Sequence, residues 1–555
     1  MKTIITILLI LFSCNLFSQG AYQHINNTDI YEFLDELAND GIIQLNTTIK
    51  PYTRTLITQK LVEASKSNNL NDRQKKEVDF YLKDYYQELG KLPAVKLKVF
   101  GNDTTSKLAI LPPGVFYKDN QFSFTIKPIL GYKYIANSKN KMYESWGGAD
   151  AYASVGNHWG FYASLRDNYQ NKEIQALPSY FTLEQGGNYK VNEGGRAGGD
   201  YSEMRGGINY IWNWGEIGIV KDNVQWGEGY HGTNIFSGRI PSFAMIKLHM
   251  NPAKWFDFNY YHGWLVSEVI DSNRSYTTSN DSYRAVYHNK FIAANMFTFY
   301  PWKGLNLSIG NSIIYSDMDV QLAYLIPVMF FKSIDHTLNH GIDNQNSQMF
   351  VSVSSRNIKH LHLYTSIYVD EFSVKRITEA TKYNFVSEKI GFRVSNWLIK
   401  NTELTSEFTR TYPMTYLHYI PSLTFTSNQF NLGNYLRDNS KEIFVSLAYK
   451  LKANLSIKAS YNYAIHYNDY QYTYNDPIVD AHSFFKDKTW TNGSFIFNVS
   501  WKPIPNAQLF IEYMNSNISG YDVDGKTAQY YLDLFTPNYL QGKNNTITTG
   551  INYGF

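Results

Sequence analysis

From about Gln121 to the C terminus, apolar residues recur at every second position, and nowhere do 18 apolar residues stand in a row. The missing long run excludes spanning helices, which need about 20 apolar residues. The period of two predicts strands with one apolar and one polar face. Phe122, Phe124, Ile126, Pro128, Leu130, Tyr132 and Tyr134 share one such face, with Pro128 expected to break strict ladder pairing. Ile443, Val445, Leu447, Tyr449 and Leu451 form another. A tight Lys452-Ala453-Asn454 turn follows, and Leu455, Ile457, Ala459, Tyr461 and Tyr463 return from it. Phe495, Phe497, Val499 and Trp501 answer Leu509, Ile511 and Tyr513 across a Pro-rich link.

A single strand of this kind is a weak sign; a succession of them, split alternately by tight turns and long polar loops, is a strong one. Outer-membrane barrels carry short periplasmic turns and long extracellular loops. A sheet this long exposes edges unless it closes, and a bilayer offers no partner for an edge. About 16 to 20 candidate strands follow residue 120, within the range of such barrels. The expected fold is mainly β: a large antiparallel transmembrane β-barrel of about 18 strands behind a small N-terminal helical bundle. The last strand puts Ile547, Thr549, Ile551, Tyr553 and Phe555 on one face. This ending is similar to the C-terminal signature that outer-membrane barrels present to their insertion machinery. That machinery and outer-membrane lipid are the expected assembly partners, with the barrel as a monomer.

Composition agrees. The chain has 46 Tyr, 34 Phe and 11 Trp, yet only 18% charged residues, below the ~25% of soluble domains. Mean hydropathy is still negative, at −0.37, as it must be when half of each strand faces a polar lumen. A net charge of +3 gives no basic stripe for nucleic acid.

Before the strands the period is 3.6. Residues 1–18 read as an export signal: Lys2, a short apolar core from Ile4 to Phe12, and Ser18 placed for cleavage. The single cysteine, Cys14, lies inside this segment, so ordinary cleavage leaves no thiol, with lipidation at Cys14 as the alternative. Residues 19–105 form the predicted helical, periplasmic domain and 106–555 the barrel. Asp29 and Glu32 have capping-box spacing ahead of Ile30, Phe33, Leu34 and Leu37. A second helix starts at Thr53 after Pro51 and buries Ile57, Leu61 and Ala64. A third starts at Asn71, with Gln74 three residues on, carries Val78, Tyr81, Leu82, Tyr85 and Leu89, and stops at Gly90.

Two segments break the strand period. Leu183 to Gly207 is Gly-rich, with paired glycines at 186–187, 194–195, 198–199 and 206–207. It lacks a phosphate-loop pattern and reads as a permissive surface loop, or as one folded into the lumen onto a ligand. In the run Lys221 to Ser237, Gly227, Gly229 and Gly232 allow a turn. Trp226, Glu228, Tyr230 and His231 offer stacking and hydrogen-bonding groups, a mixture suited to sugar. The alternative is a structural turn whose Lys221, Asp222 and Glu228 are satisfied inside the barrel.

Lys221-Asp222, Trp226-Gly227-x-Gly229, Ser237 and Pro241-Ser242-Phe243 resemble the K-D-x-x-x-W-G-x-G segment, followed by Ser and Pro, of the capsule assembly Wzi family. Tyr31-x-Phe33-Leu34-x-x-Leu37-x-x-x-Gly41-Ile42-Ile43 and Lys50-Pro51-Tyr52-Thr53-Arg54 are similar to that family's opening. The resemblance implies a non-catalytic, lectin-like barrel of about 18 strands that attaches or organises capsular or extracellular polysaccharide. It also implies a helical bundle at the periplasmic mouth that helps block the lumen.

The chain offers little for catalysis. None of its 13 His sits in a nucleophile signature, and the spacing of His231 and Ser237 establishes no hydrogen bond. His249, His262, His360 and His362 lack zinc-binding spacing. No catalytic residue, cofactor or metal is expected. The competing reading is a porin or transporter for small solutes; a TonB-dependent transporter would need a larger N-terminal plug.

Overall fold

The computed structural model describes residues 20–91, 106–110, 113–189, 199–338, 344–374, 376, 384–470 and 484–554. The predicted export signal, Cys14, Gly194, Gly195, Gly198 and Phe555 lie outside them.

Eighteen antiparallel strands close into one barrel. In chain order they are β1 Phe122–Ala136, β2 Lys141–Val155, β3 Trp159–Gln170, β4 Gly199–Trp212, β5 Gly215–Asp222 and β6 Phe243–Ala253. Next come β7 Phe256–Leu265, β8 Lys290–Trp302, β9 Leu305–Ser316, β10 Gln345–Ser355, β11 Leu361–Glu371 and β12 Phe385–Ser395. The last six are β13 Thr402–Thr411, β14 Ser440–Lys452, β15 Leu455–Tyr467, β16 Lys488–Trp501, β17 Ala507–Gly520 and β18 Gly542–Tyr553. Closure runs from Ile547↔Ala136 to Tyr553↔Leu130 between β18 and β1. The other half of that β1 edge, Ser123 to Ile126, pairs with Pro113–Lys118, itself paired with Ser106–Ile110.

Pro128 sits between these two ladders. Its pairing with Ala149 keeps β1 and β2 in unbroken register, contrary to the expected interruption. The missing N–H is harmless at the seam, where one neighbour of β1 ends at Ile126 and the next begins at Leu130.

Connections alternate in length. Residues 213–214, 254–255, 303–304 and 453–454 are tight turns at one end, and 171–198, 223–242, 266–289, 317–344 and 412–439 are long connections at the other. The outer face is apolar: Leu130, Met204, Ile219, Ile309, Ile390, Leu447 and Ile551 are all exposed. The residues between them turn inward and are buried, as with Thr125, Asn209, Ser352 and Glu407. At the tight-turn end Trp159, Trp214, Trp255, Trp302, Trp397 and Trp501 stand exposed, an interfacial girdle. An apolar band, a girdle and a closed even-numbered wall are the construction of an outer-membrane protein. Among the described residues no helix is long and apolar enough to cross a membrane.

Helices α1 Thr28–Asn39, α2 Arg54–Ser65 and α3 Asp72–Leu82 share a core of Phe33, Leu34, Leu37, Ile57, Leu61, Ala64, Val78, Tyr81 and Tyr85. Thr53 caps α2 by accepting from Leu56 N–H (3.1 Å). Asn71 and Gln74 form a capping box at the predicted start of α3. Two expectations change. Asp29 and Glu32 cap nothing: α1 begins at Thr28, and these carboxylates reach Lys502 (2.7 Å) and Lys458 (3.4 Å) on the barrel. Charges on the wall compete successfully for them. Helix α3 ends at Leu82, and the chain turns from there to Gly90.

The helical unit fills the tight-turn mouth. Glu36 pairs with Lys450 (2.7 Å), Asp40 with His360 (2.8 Å), Arg73 Nε donates to Asn401 (2.8 Å), and Asp84 binds Lys127.

Candidate functional site

The connection between β5 and β6 leaves from the long-loop end but folds into the lumen. Asn223 Nδ2 donates to Ile240 O (2.9 Å) and closes its neck. Inside, Gln225–Trp226 pairs with Phe236–Ser237 on one side and Ile49–Lys50 on the other. This three-stranded sheet joins the helical unit to the long-loop end. Around it one apolar cluster reaches across the barrel, from Tyr162 and Val220 through Trp226, Phe236 and Ile292 to Phe350 and Tyr368.

The residues predicted for the site divide between wall and lumen. Alternation turns Lys221 outward, where Nζ donates to Met204 O (2.7 Å) and Ser242 Oγ (2.6 Å). Asp222 turns inward and accepts from Tyr162 OH (2.7 Å) and Arg205 Nη1 (3.1 Å). Trp226 is 2% exposed, edge-on to Phe236, Tyr261 and Phe350 at 5.1–6.1 Å between ring centres. It has no open face for a sugar in this conformation. Glu228 accepts from Thr47 Oγ1 (2.8 Å) and Thr48 Oγ1 (2.8 Å) and is likewise buried. Gly227 has a φ of 101° and donates to Thr48 O (2.8 Å). Gly229 has a φ of 153°, and a Cβ there would lie 2.2 Å from Gly232 O. A side chain at either would displace the turn.

Tyr230 and His231 are partly buried. The Tyr230 hydroxyl meets Asp35 and His362 Nδ1 (2.8 Å), and its ring lies 3.5 Å under the Arg393 guanidinium. His231 stacks on Phe444 at 4.0 Å, with Nε2 3.3 Å from Glu442. Ser237 Oγ donates to Leu432 O (3.1 Å), so His231 and Ser237 make no dyad. Pro241 is buried where the segment rejoins the wall.

Below this segment lies a buried ionic cluster that sequence reasoning missed. Asp35 binds Arg356, Lys389 binds Glu407 (2.7 Å), and Arg393 approaches Glu403 (3.5 Å). Glu407 also accepts from the backbone N–H of Tyr230 (2.6 Å) and His231 (3.1 Å). A signal was available. Lys389 and Arg393 share the inward parity of β12, and Glu403 and Glu407 that of β13. Opposite charges on inward positions of adjacent strands pair side by side on the lumen face of the wall. Burial raises the Asp35 carboxyl, but Arg356, with His362 and Arg393, overrides it and holds the group down at about 2. Glu228 goes the other way: burial raises it against the pull of Arg356, Thr47 and Thr48.

The Gly-rich stretch is partly strand, not all loop. Gly206 and Gly207 lie in β4, where a Cβ would meet Tyr162 O at 2.8 Å and Val220 Cγ1 at 2.5 Å. Gly186 lies under the Phe430 ring and donates to Arg239 O (2.9 Å).

No protein-family model matches the chain, and no curated protein matches it by sequence. Among solved structures it is similar to Wzi, described as an outer membrane protein involved in group 1 capsule assembly in Escherichia coli and a carbohydrate binding β-barrel. The TM-score is 0.56 and the identity 12%, over 97% of this chain and all of that one. It also matches OccD3 (OpdP) of Pseudomonas aeruginosa (TM-score 0.41, 12% identity, 77% of this chain and 90% of that one). A third match is OccAB2 of Acinetobacter baumannii (TM-score 0.42, 10% identity, 78% and 97%). The likeness to Wzi establishes the shared fold, and its coverage takes in the helical unit as well as the barrel.

Proposed function

We propose that this outer-membrane barrel binds or organises capsular or other extracellular polysaccharide at the cell surface, without catalysing a reaction. The observation that carries this reading is the filled lumen. A diffusion pore needs a continuous polar, water-filled channel. Here the 223–242 segment and the helical unit meet inside the barrel around an apolar cluster. On this reading the helical unit faces the periplasm and closes that mouth. Residues 221–242 hold the closure, and Trp226 and Glu228 act through packing. His231, which reaches Glu442 near the long-loop end of β14, is left to contact sugar if the loops part above it, while the Tyr230 hydroxyl points the other way, to Asp35 of α1. Exposed Tyr276, Tyr283 and Tyr530 on the long loops offer the flat faces that sugar C–H surfaces pack on.

The test pairs two measurements. Deleting the gene is expected to release or disorder the surface glycan, and purified protein is expected to bind that glycan on an array while conducting no steady current in planar bilayers. Normal glycan retention together with open-channel conductance would instead establish a porin.

A further inference from the structure

A group of side chains at the long-loop end belongs to neither the lumen closure nor the glycan reading. Asp438, from the 412–439 connection, is 4% exposed, and its Oδ2 accepts from Met414 N–H (2.8 Å). His466, at the end of β15, is 1% exposed. Asp469, three residues on, has its side chain 59% exposed. One ligand atom from each lies within 4.8 Å of the others. The two Asp-bearing segments are tied together, because Asn439 Nδ2 donates to Asn468 O (2.6 Å).

The protonation of His466 follows from its neighbour. The Thr489 hydroxyl has one proton, and it is directed to the carbonyls of His466 (3.2 Å) and Tyr467 (3.1 Å). With that proton on a carbonyl, its oxygen accepts from His466 Nδ1 (3.0 Å), which assigns the proton to Nδ1 and the lone pair to Nε2. Among the described residues no donor reaches Nε2; it faces Asp469 Oδ1 at 3.9 Å. Two carboxylates and an imidazole lone pair thus converge as acceptors. Arg437, beside Asp438 in sequence, donates to Pro178 O (2.5 Å); its charge acts on Asp438 and Asp469, but among the described residues it lies beyond ion-pair distance of both. Among the described residues the buried amide oxygens of Asn439 and Asn468 have no donor. A buried imidazole lone pair aimed at a carboxylate, beside buried amide oxygens that lack donors, is a set of acceptors that a cation satisfies.

We propose that Asp438, His466 and Asp469 form a binding site for a divalent transition cation, Zn²⁺ or Mn²⁺, that clamps the long loops over the barrel. One imidazole with two carboxylates suits these ions better than Ca²⁺, which takes oxygen ligands alone. The Thr489 bond to Nδ1 is the orienting contact that metal-bound histidines use. Ligand atoms around tetrahedral zinc lie about 3.3 Å apart, so the exposed Asp469 side chain turns inward to close the site. The clamp would join several loops. Phe181, from the connection before β4, and Phe535, in the helix Ala528–Phe535, cover the His466 ring at 4.9 and 5.0 Å.

The experiment uses full-length protein in detergent micelles, stripped with EDTA and titrated with Zn²⁺ and then Mn²⁺ by calorimetry. Heat-modifiable gel migration reports the folded barrel. One equivalent per chain is expected, and at least tenfold weaker binding in Asp469→Asn and His466→Gln. Asp469 is exposed, so its variant keeps the test decisive if the change at His466 disturbs packing. The proposal is overturned if folded wild type takes up neither ion stoichiometrically, or if folded Asp469→Asn binds as tightly as wild type.

Discussion

Ile49 and Trp226 face each other as antiparallel partners inside the barrel, one from the link between two N-terminal helices, the other from a connection that enters at the opposite end. The pair is the point where two halves of the closure join. Because Trp226 also pairs with Phe236, loosening either contact exposes an edge in the lumen.

That position sets the outcome of changing the indole. Trp226→Ala removes a ring packed against Phe236, Tyr261 and Phe350 and is expected to cost about 3–5 kcal/mol. Urea unfolding in detergent measures this, and Trp226→Phe should recover much of the loss. Unchanged stability with lost glycan binding would make Trp226 a ligand contact instead.

Asp35 and Arg356 form a buried pair between α1 and the turn after β10. Removing one partner strands the other, at about 3–5 kcal/mol. Arg356→Ala and Asp35→Ala should each destabilise the docked helices, and the double variant should lose less than their sum. Intermittent conductance in planar bilayers should rise in the single variants as the mouth loosens.

Helix α1 also sets an acid limit. Burial raises Glu32, Asp35 and Glu36, but Lys458, Arg356 and Lys450 respectively outweigh it, and all three settle at about 2 from ordinary values of 4.5, 3.8 and 4.5. A lowered folded value means stability that is complete above the unfolded values and lost as pH falls through the folded ones. Docking should weaken between about pH 4.5 and pH 2. Fluorescence-detected unfolding across that range should show a shallower loss in Asp35→Asn, which lacks one titrating group.

The sequence carried the wall well, because alternation is a local property. Ile443 to Leu451 turn outward as their period requires, and the Asn71–Gln74 capping box is written within four residues. Neighbours far away in the chain were not legible. Asp29 and Glu32 have the spacing of a cap, yet Lys502 and Lys458 claim them. Nothing within residues 223–242 announces Ile49 as a partner, so the aromatic and acidic groups there read either as a ligand surface or as a structural turn, and the fold buries Trp226 and Glu228. The tryptophan girdle was readable, since Trp214, Trp255 and Trp397 stand in or beside tight turns, but single aromatics at turns carry no direction until closure fixes an outside.

Glu228 tests whether its role is charge or hydrogen bonding. Burial raises its carboxyl despite Arg356 and the hydroxyls of Thr47 and Thr48. A carboxyl raised above its unfolded value favours folding below that value, and the advantage is lost as pH rises through the folded one. Near neutral pH the buried charge therefore opposes folding. Glu228→Gln keeps an acceptor and removes the charge, so it should match or exceed wild-type stability near pH 7, the difference shrinking on acidification. Glu228→Ala strands both threonine hydroxyls and should cost about 1–3 kcal/mol. Thermal unfolding at several pH values separates the two. Equal destabilisation by Gln and Ala at neutral pH would mean that the negative charge itself holds the turn.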